Sequence, residues 1–277
     1  MRKTKTFVLY FLLIVLFLIS FLFNYNFKKK FFETNEALYV FPKKTLKLIS
    51  LGFENIIADF YYIWMIQFYS SSGIGERIEY LPTILETIGE LDPKFSEPFT
   101  IGGMIAALQA GRLDIALKAL EIGLRYEPYE WTMAMDAGYY LRKRKKYKKA
   151  FYYYEIAAHR EDSPAFLKRV WADIAWKSGD LSFSYELWKN IYNKAKTNYE
   201  KEVAYHHLYM IKFEMDKKRL EPIIENFKNI YGRFPNDLKE LYYKGFIKMI
   251  PHDYDGDPYI YNPETGKIRS RKRFLWK

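Results

Sequence analysis

The feature that most constrains the fold is a repeat of about 34 residues that occurs three times in succession, in residues 97–130, 131–164 and 165–198. In the first half of each copy a small residue recurs at nearly the same place: Gly103 (one position early), Gly138 and Ala172. In the second half a small residue is followed four positions later by a large one: Ala116 and Leu120, Ala150 and Tyr154, Ser184 and Trp188. Each copy is long enough for two helices. Because such a pair cannot bury its apolar face alone, the copies are expected to stack on one another.

The period, the small residues and the prolines that close the copies, Pro128 and Pro164, resemble the tetratricopeptide repeat (TPR). The resemblance implies an all-α fold, with a TPR-type α-solenoid of about five helix pairs over residues 60–231. Residues 60–95 and 199–231 are then the degenerate terminal pairs. The resemblance also implies that a protein or peptide binds in the groove lined by the first helix of each pair.

The N-terminal part contains an apolar run, residues 7–23, which residues 24–27 can extend to about 30 Å of helix, enough to cross a bilayer core. Basic residues flank the run on both sides, and no small residues follow it that would mark a signal-peptide cleavage site. We therefore expect residues 1–30 to form an uncleaved transmembrane anchor rather than a cleaved signal peptide. A short basic head before a long folded domain predicts a single-pass membrane protein whose soluble domain is extracytoplasmic, on the periplasmic side.

The formal net charge of +11 is concentrated at the two ends of the chain. Residues 1–30 and 267–277 each carry six basic and no acidic side chains, whereas residues 31–266 carry 32 basic and 33 acidic ones. This distribution favours contact of the anchor and the basic tails with anionic lipid over a nucleic-acid groove. One internal basic cluster falls at an expected turn between two helices, and it is either a solvated turn or a contact for lipid or an acidic partner. Its candidate residues are Arg142, Lys143, Arg144, Lys145 and Lys146.

Residues 31–59 connect the anchor to the repeats and are expected to form a juxtamembrane linker helix. Pro42 is placed to start this helix, because proline fits the first helical position without losing a hydrogen bond. Gly52 is expected to interrupt it.

Residues 232–277 have a different character from the repeats and are expected to form a small appendage that ends in a basic tail. The sequence predicts a short helix that Asn236 caps and Gly245 ends. A β-hairpin is then predicted, with strands at Tyr259–Tyr261 and Lys267–Arg269 joined by a turn.

Residues 232–270 contain a Pro, then a Leu, then a Gly, and then the pattern IPxDxxGDPYxYNPxTG. Over these roughly 40 residues the chain resembles the C-terminal part of type II secretion major pseudopilins, a family that carries a calcium site near this region. The N-terminus lacks the Gly and Glu of that family's methylation site, so assembly into a pilus is not implied. Asp253, Asp255 and Asp257 alternate here, and carboxylate oxygens are the ligands that calcium prefers. The alternative is a turn in which the Asp side chains accept local backbone amides.

No catalytic set is apparent. The four histidines have no metal-ligand spacing, and the sequence has no phosphate-binding loop, dinucleotide fingerprint or nucleophile elbow. The chain has no Cys, which excludes disulfides and thiolate metal sites. We expect a non-enzymatic, membrane-anchored TPR scaffold that binds a protein or peptide, for example in an envelope, pilus or secretion assembly. The alternatives are a membrane-tethered calcium-dependent binding module and, if the domain faces the cytoplasm, nucleic-acid binding through the basic cluster. No cofactor apart from that calcium is expected.

Overall fold

The structure is a computed structural model, and it describes residues 14–15, 17–18, 43–70, 75–272 and 274. The chain divides into two compact units, Met1–Leu46 and Lys47–Lys277. Most of the predicted anchor lies outside the described residues. The four described residues of that run are helical, and the side chains of Ile14, Phe17 and Leu18 are exposed. Among the helices of the described residues, none is both long enough and apolar enough to cross a bilayer.

The described part of the chain is mainly α-helical, with few residues in strands, so the predicted all-α class is confirmed. The helices are α1 (Lys43–Ser50), α2 (Glu54–Ser70), α3 (Leu81–Leu91), α4 (Glu97–Met104), α5 (Leu113–Tyr126), α6 (Trp131–Lys143), α7 (Tyr147–Ala158), α8 (Phe166–Ser178), α9 (Leu181–Lys194), α10 (Asn198–Tyr231) and α11 (Leu238–Tyr243). A 3₁₀ turn (Gly75–Tyr80) precedes α3, a π-helical turn (Ile105–Gln109) extends α4, and the hairpin strands are β1 (Ile260–Asn262) and β2 (Lys267–Arg269).

Each repeat copy forms one helix pair, namely α4 with α5, α6 with α7, and α8 with α9. Consecutive helices contact each other from α5 through α10, so each pair also packs on the next one. Before the three copies, α2 packs on α3, and α3 contacts α5. Two predicted details of the linker agree with the structure, since α1 begins directly after Pro42 and a turn at Gly52 separates α1 from α2.

The small residues of the first helices lie against the large residues of the second helices. A Cβ atom added to Gly138 would lie 2.9 Å from the ring of Tyr154, and one added to Gly103 would lie 3.0 Å from Leu120. In the third pair Ala172 and Trp188 belong to the same buried cluster. The spacing in the sequence therefore predicts the contact between the two helices of each pair correctly.

The turns inside the three helix pairs share one backbone conformation. Gly111, Lys145 and Gly179 all have positive φ, at 67°, 56° and 99°, and they lie 34 residues apart. After the second of these residues, the Lys146 amide donates to the Leu141 carbonyl at 2.9 Å, which closes the end of the helix. Glycine adopts a positive φ without strain, but lysine does not. Lys145 is therefore held in this conformation by the helices on either side.

The π-helical turn accounts for the early position of Gly103. In the first copy, Gly103 and Gly111 are one residue further apart than the matching residues of the other two copies. A π-helical turn accommodates one additional residue within a helix, and Ile105–Gln109 lies within this interval. The hydrogen bond that closes the helix spans one residue more than in the second copy, since the Arg112 amide donates to the Ala106 carbonyl, six residues earlier, at 2.8 Å.

The last predicted helix pair, residues 199–231, is wrong in its detail, because α10 is a single helix of 34 residues. The segment has no glycine before Gly232, which has a φ of 70° and ends the helix. Pro222 lies inside α10 and removes one backbone donor without ending the helix. At the N-terminus the Thr197 hydroxyl accepts the Glu200 amide at 3.1 Å.

The predicted appendage is present, with two corrections. Asp237 rather than Asn236 caps α11, since its carboxylate accepts the Glu240 amide at 2.8 Å and it directly precedes the first helical residue. The first strand is shifted by one residue from the prediction, and Tyr261 pairs with Ile268 at the centre of the hairpin. Gly245 ends α11 with a φ of 77°, as predicted.

The appendage is held against the second half of α10 by an apolar cluster and a buried carboxylate. Tyr259 and Ile268 from the hairpin region share a buried cluster with Phe227 of α10. The Tyr259 hydroxyl also donates at 2.8 Å to Asp216, which is buried and accepts from Arg219 at 2.9 Å. Burial and the hydrogen bond to Asp216 raise the pKa of Tyr259, so its hydroxyl keeps its proton and remains a donor.

Candidate functional site

The candidate site is a cleft of about 570 Å³ between α8, α9 and α10. Five of the residues that line it lie on α8 between Arg169 and Lys177, one is Trp188 on α9, and Val203 and His207 lie on α10. The α8 residues Arg169, Asp173 and Trp176 are four and three positions apart, a spacing that places side chains on one face of a helix. The cleft is called the α8–α10 groove below.

The floor of the α8–α10 groove is aromatic and desolvated. The rings of Trp188 and His207 are stacked, with their centroids 3.6 Å apart and their planes within 12°. Burial, together with smaller electrostatic contributions from His206 and Lys177, lowers the pKa of His207 to about 3. His207 is therefore neutral at physiological pH, and the buried ring pair gives the base of the groove an uncharged, aromatic character.

The rim of the α8–α10 groove carries both signs of charge. The ammonium of Lys177 lies 2.7 Å from the carboxylate of Asp173, one helical turn before it. The Arg169 guanidinium lies 3.5 Å from the carboxylate of Glu200 on α10. All four side chains are partly accessible to solvent. Such a rim can form hydrogen bonds and ion pairs with the polar groups that flank an apolar side chain in a peptide.

None of these groove residues was identified in the sequence as a binding residue. The predicted groove is nevertheless lined by the first helix of each pair, and α8 is one of these helices. Helix α10 begins where the first helix of the next pair was expected. The spacing of Arg169, Asp173 and Trp176 is the one sequence signal that could have indicated a shared face on α8. The floor could not be found in this way, because it forms only when α9 and α10 pack together.

The basic cluster lies at the predicted place, where α6 ends and α7 begins. Lys143, Arg144, Lys145 and Lys146 are exposed, and Arg142 is half-buried. The ring of Tyr139 lies 5.8 Å from the Arg142 guanidinium and 5.4 Å from the Lys143 ammonium. The cluster thus projects four cations into solvent at one turn, and it lies outside the α8–α10 groove.

The first of the three candidate calcium ligands is engaged with the protein itself. Asp253 is buried, and its Oδ1 accepts the backbone amides of Asp255 at 3.0 Å and Asp257 at 2.9 Å. Its Oδ2 accepts the hydroxyl of Tyr209 at 2.6 Å. This is the geometry of the turn alternative, in which the carboxylate orders the local backbone.

The other two carboxylates have different surroundings. Asp255 accepts from the Tyr205 hydroxyl at 2.8 Å and from the Lys272 ammonium at 2.5 Å, and the hydrogen bond with Lys272 lowers its pKa. Asp257 is exposed. In the part of the chain that the structure describes, no three His, Cys, Asp or Glu side chains are grouped so that they could hold a metal ion. Calcium binding at Asp253, Asp255 and Asp257 stays a prediction that this geometry does not support.

Comparisons with known proteins do not add a family to these observations. No protein-family model matches the chain, and no curated protein matches it. The features of this chain that bear on its function are therefore the repeat, the α8–α10 groove and the distribution of charge.

Proposed function

We propose that the protein is a non-enzymatic, membrane-anchored TPR scaffold that binds a protein or peptide partner in the α8–α10 groove. The supporting observation is the groove itself, in which a stacked, uncharged Trp188–His207 pair lies beneath a rim of paired charges. This combination suits a peptide that places one large apolar side chain on the floor and polar groups at the rim. An envelope, pilus or secretion assembly is the setting that the predicted anchor and the pseudopilin-like appendage favour.

The TPR assignment in this proposal is supported by three features of the helix pairs. The pairs follow a period of about 34 residues, they contain the same small-to-large contact, and their turns share a positive φ at equivalent positions. The proposed membrane anchoring is supported by the apolar run in residues 7–23 and by its basic flanks. The proposed extracytoplasmic side is supported by the short basic head before that run.

Site-specific photocrosslinking in the full chain tests the groove. A photoreactive amino acid replaces Val203, which lines the groove, or Tyr152, which is 58% exposed on α7 and serves as the matched control. We expect discrete crosslinked adducts in intact membranes from position 203 and not from position 152. The Trp176→Ala variant, which removes groove surface, should reduce the yield of the adduct from position 203.

The same experiment can reject the proposal. Equal adducts from positions 152 and 203, or no effect of Trp176→Ala, would show that the partner does not use the groove. Circular dichroism of the purified Trp176→Ala chain in detergent establishes that a lost adduct reflects lost binding surface and not lost helix.

A further inference from the structure

A row of large apolar side chains is exposed along α1, the following turn and α2. The exposed fractions range from 46% for Ile56 to 84% for Leu51. The row consists of Leu48, Ile49, Leu51, Phe53, Ile56, Phe60 and Ile63, and it is called the α2 stripe below. Scattered exposed apolar residues are normal on a protein surface, whereas a contiguous set indicates a surface that another molecule covers.

The stripe makes α2 apolar on two opposite sides. One side contributes Ala58, Met65 and Tyr69 to the core, where they are fully or nearly fully buried. The other side carries Phe53, Ile56, Phe60 and Ile63, whose spacing of three, four and three residues places them on one face. A surface helix of a globular protein normally has charged and polar residues on this outer face. The outer face of α2 therefore has the chemistry of a buried surface.

We propose that the α2 stripe docks into the interfacial region of a lipid bilayer. The inference rests on the membrane anchoring in the proposed function, and it adds a second membrane contact to the anchor. A stripe from Phe53 to Ile63 is about 15 Å long, because a helix rises 1.5 Å per residue. This length is too short to cross a bilayer and suits a helix that lies in the plane of the headgroups.

The residues around the α2 stripe favour lipid as the occupant. Trp64 and Tyr61 lie beside the stripe on the helix surface, are half-buried, and have their rings 6.0 Å apart. Aromatic side chains with a polar tip are characteristic of the membrane–water interface.

Charge around the stripe favours anionic lipid in particular. Helix α1, which precedes the turn, has three lysines and no acidic residue in its sequence. Lys47 is half-exposed and lies 3.4 Å from Glu90. On α2 itself Asp59 is exposed at the edge of the stripe, and the exposed Gln67 marks the polar end of its outer face. In the sequence these lysines precede the stripe on the side of the predicted anchor, where anionic headgroups would attract them.

Depth-dependent fluorescence quenching in the full chain tests the proposal. The chain has no cysteine, so a single introduced cysteine is its only site for a thiol-reactive, environment-sensitive dye. The dye is placed at Phe60→Cys or Ile63→Cys on the stripe, at Phe17→Cys in the predicted anchor, and at Leu108→Cys or Tyr152→Cys as exposed controls. Leu108 and Tyr152 are 64% and 58% exposed, comparable to the 67% and 51% of Phe60 and Ile63. Each labelled chain is reconstituted into vesicles of phosphatidylcholine and phosphatidylglycerol that contain lipids with a spin label near the headgroup or near the end of the acyl chain.

We expect the dye at Phe60 and Ile63 to be quenched more strongly by the label near the headgroup, because an interfacial helix buries its apolar face only about 5–10 Å into the headgroup boundary. The dye at Phe17 should be quenched more strongly by the label at the chain end, and the dye at Leu108 and Tyr152 should be quenched by neither. An Ile56→Asp substitution, which places a charge on the stripe, should weaken the quenching at Ile63. The matched Tyr152→Asp substitution should leave it unchanged.

Each other outcome has a defined meaning. Quenching at Phe17 without quenching at Phe60 and Ile63 overturns the inference and leaves the anchor in place. Quenching on the stripe without quenching at Phe17 supports the inference and overturns the proposed anchor, whereas no quenching at any of these sites overturns both. A blue-shifted but unquenched dye at Phe60 overturns the inference too, since the stripe would then be covered by protein.

Discussion

The contact between Gly138 and Tyr154 gives the sharpest test of how the helix pairs are held together. In Gly138→Ala the new Cβ would lie 2.9 Å from the Tyr154 ring, so the ring must move back by about half an ångström to reach an ordinary contact of 3.4 Å. Tyr154 is only 3% exposed and has little room to move. Overpacking of a core costs about 1–3 kcal/mol, while replacing glycine by alanine inside a helix gains about 1 kcal/mol. We therefore expect Gly138→Ala to lower the free energy of unfolding by up to about 2 kcal/mol.

The cause can be isolated in a Tyr154→Leu background. A leucine side chain can rotate away from the new methyl group, as Leu120 can in the matching contact with Gly103. In this background Gly138→Ala should be neutral or stabilising by up to about 1 kcal/mol, which gives a coupling energy of about 1–3 kcal/mol between the two positions. The single variant Gly103→Ala, whose Cβ would meet Leu120 at 3.0 Å, serves as the matched control and should be tolerated better than Gly138→Ala.

Denaturant unfolding of the full chain in detergent micelles, followed by far-UV circular dichroism, measures these differences. The shift of the midpoint at constant slope gives the change in stability. The same cost of Gly138→Ala in both backgrounds would refute the reasoning, because Tyr154 would then not be the group that limits space at Gly138.

Three further predictions concern the groove, the C-terminal turn and the anchor. Because the pKa of His207 is lowered in the folded state, its contribution to stability is fully present above its unfolded pKa of about 6.5 and is lost as the pH falls toward about 3. Between pH 7 and pH 5 the unfolding free energy of the unmodified chain should therefore fall by about 2 kcal/mol relative to that of His207→Phe. Denaturation at each pH measures this difference, and parallel pH profiles of the two chains would contradict it. Asp253→Ala should cost about 2–4 kcal/mol, because one buried and two part-buried donors lose their acceptor, whereas Asp257→Ala, at an exposed residue, should stay within about 0.5 kcal/mol. A melting temperature that falls in chelator and recovers with calcium would restore the calcium hypothesis. If residues 7–23 anchor the chain, the full chain should stay in the membrane fraction after a carbonate wash with Met1 still present, and its release or a mature start near Lys28 would show that it is not anchored.

The parts of the structure that the sequence predicted are those that local spacing determines. The contact of Gly138 with Tyr154 repeats with the period of the helix pairs, so its partners could be named before any coordinates. The end of α11 at Gly245 follows from the conformational freedom of glycine. Its cap was assigned one residue too early, because Asn236 and Asp237 are both good caps and only the position of the first helical turn distinguishes them.

The parts that the sequence did not predict depend on packing between distant segments. The floor of the α8–α10 groove needs Trp188 and His207 to meet, and nothing near either residue in the sequence specifies the other. The apolar outer face of α2 was not predicted, since apolar spacing alone does not show which side of a helix meets the core. A helix pair was predicted where the single helix α10 is found, because a degenerate repeat was expected to keep its turn. The segment contains no residue that would make such a turn.

The π-helical turn at Ile105–Gln109 shows how a change of length in one repeat is kept from spreading to the next. The additional residue is absorbed before Gly111, so the turns at Gly111 and Lys145 remain in phase. One additional residue, however, rotates the side chains of α4, which precede the π-helical turn, by about 100° relative to the residues that follow the turn. An insertion at this place thus changes the surface of one helix pair while the neighbouring pair keeps its register, which lets individual repeats diverge independently.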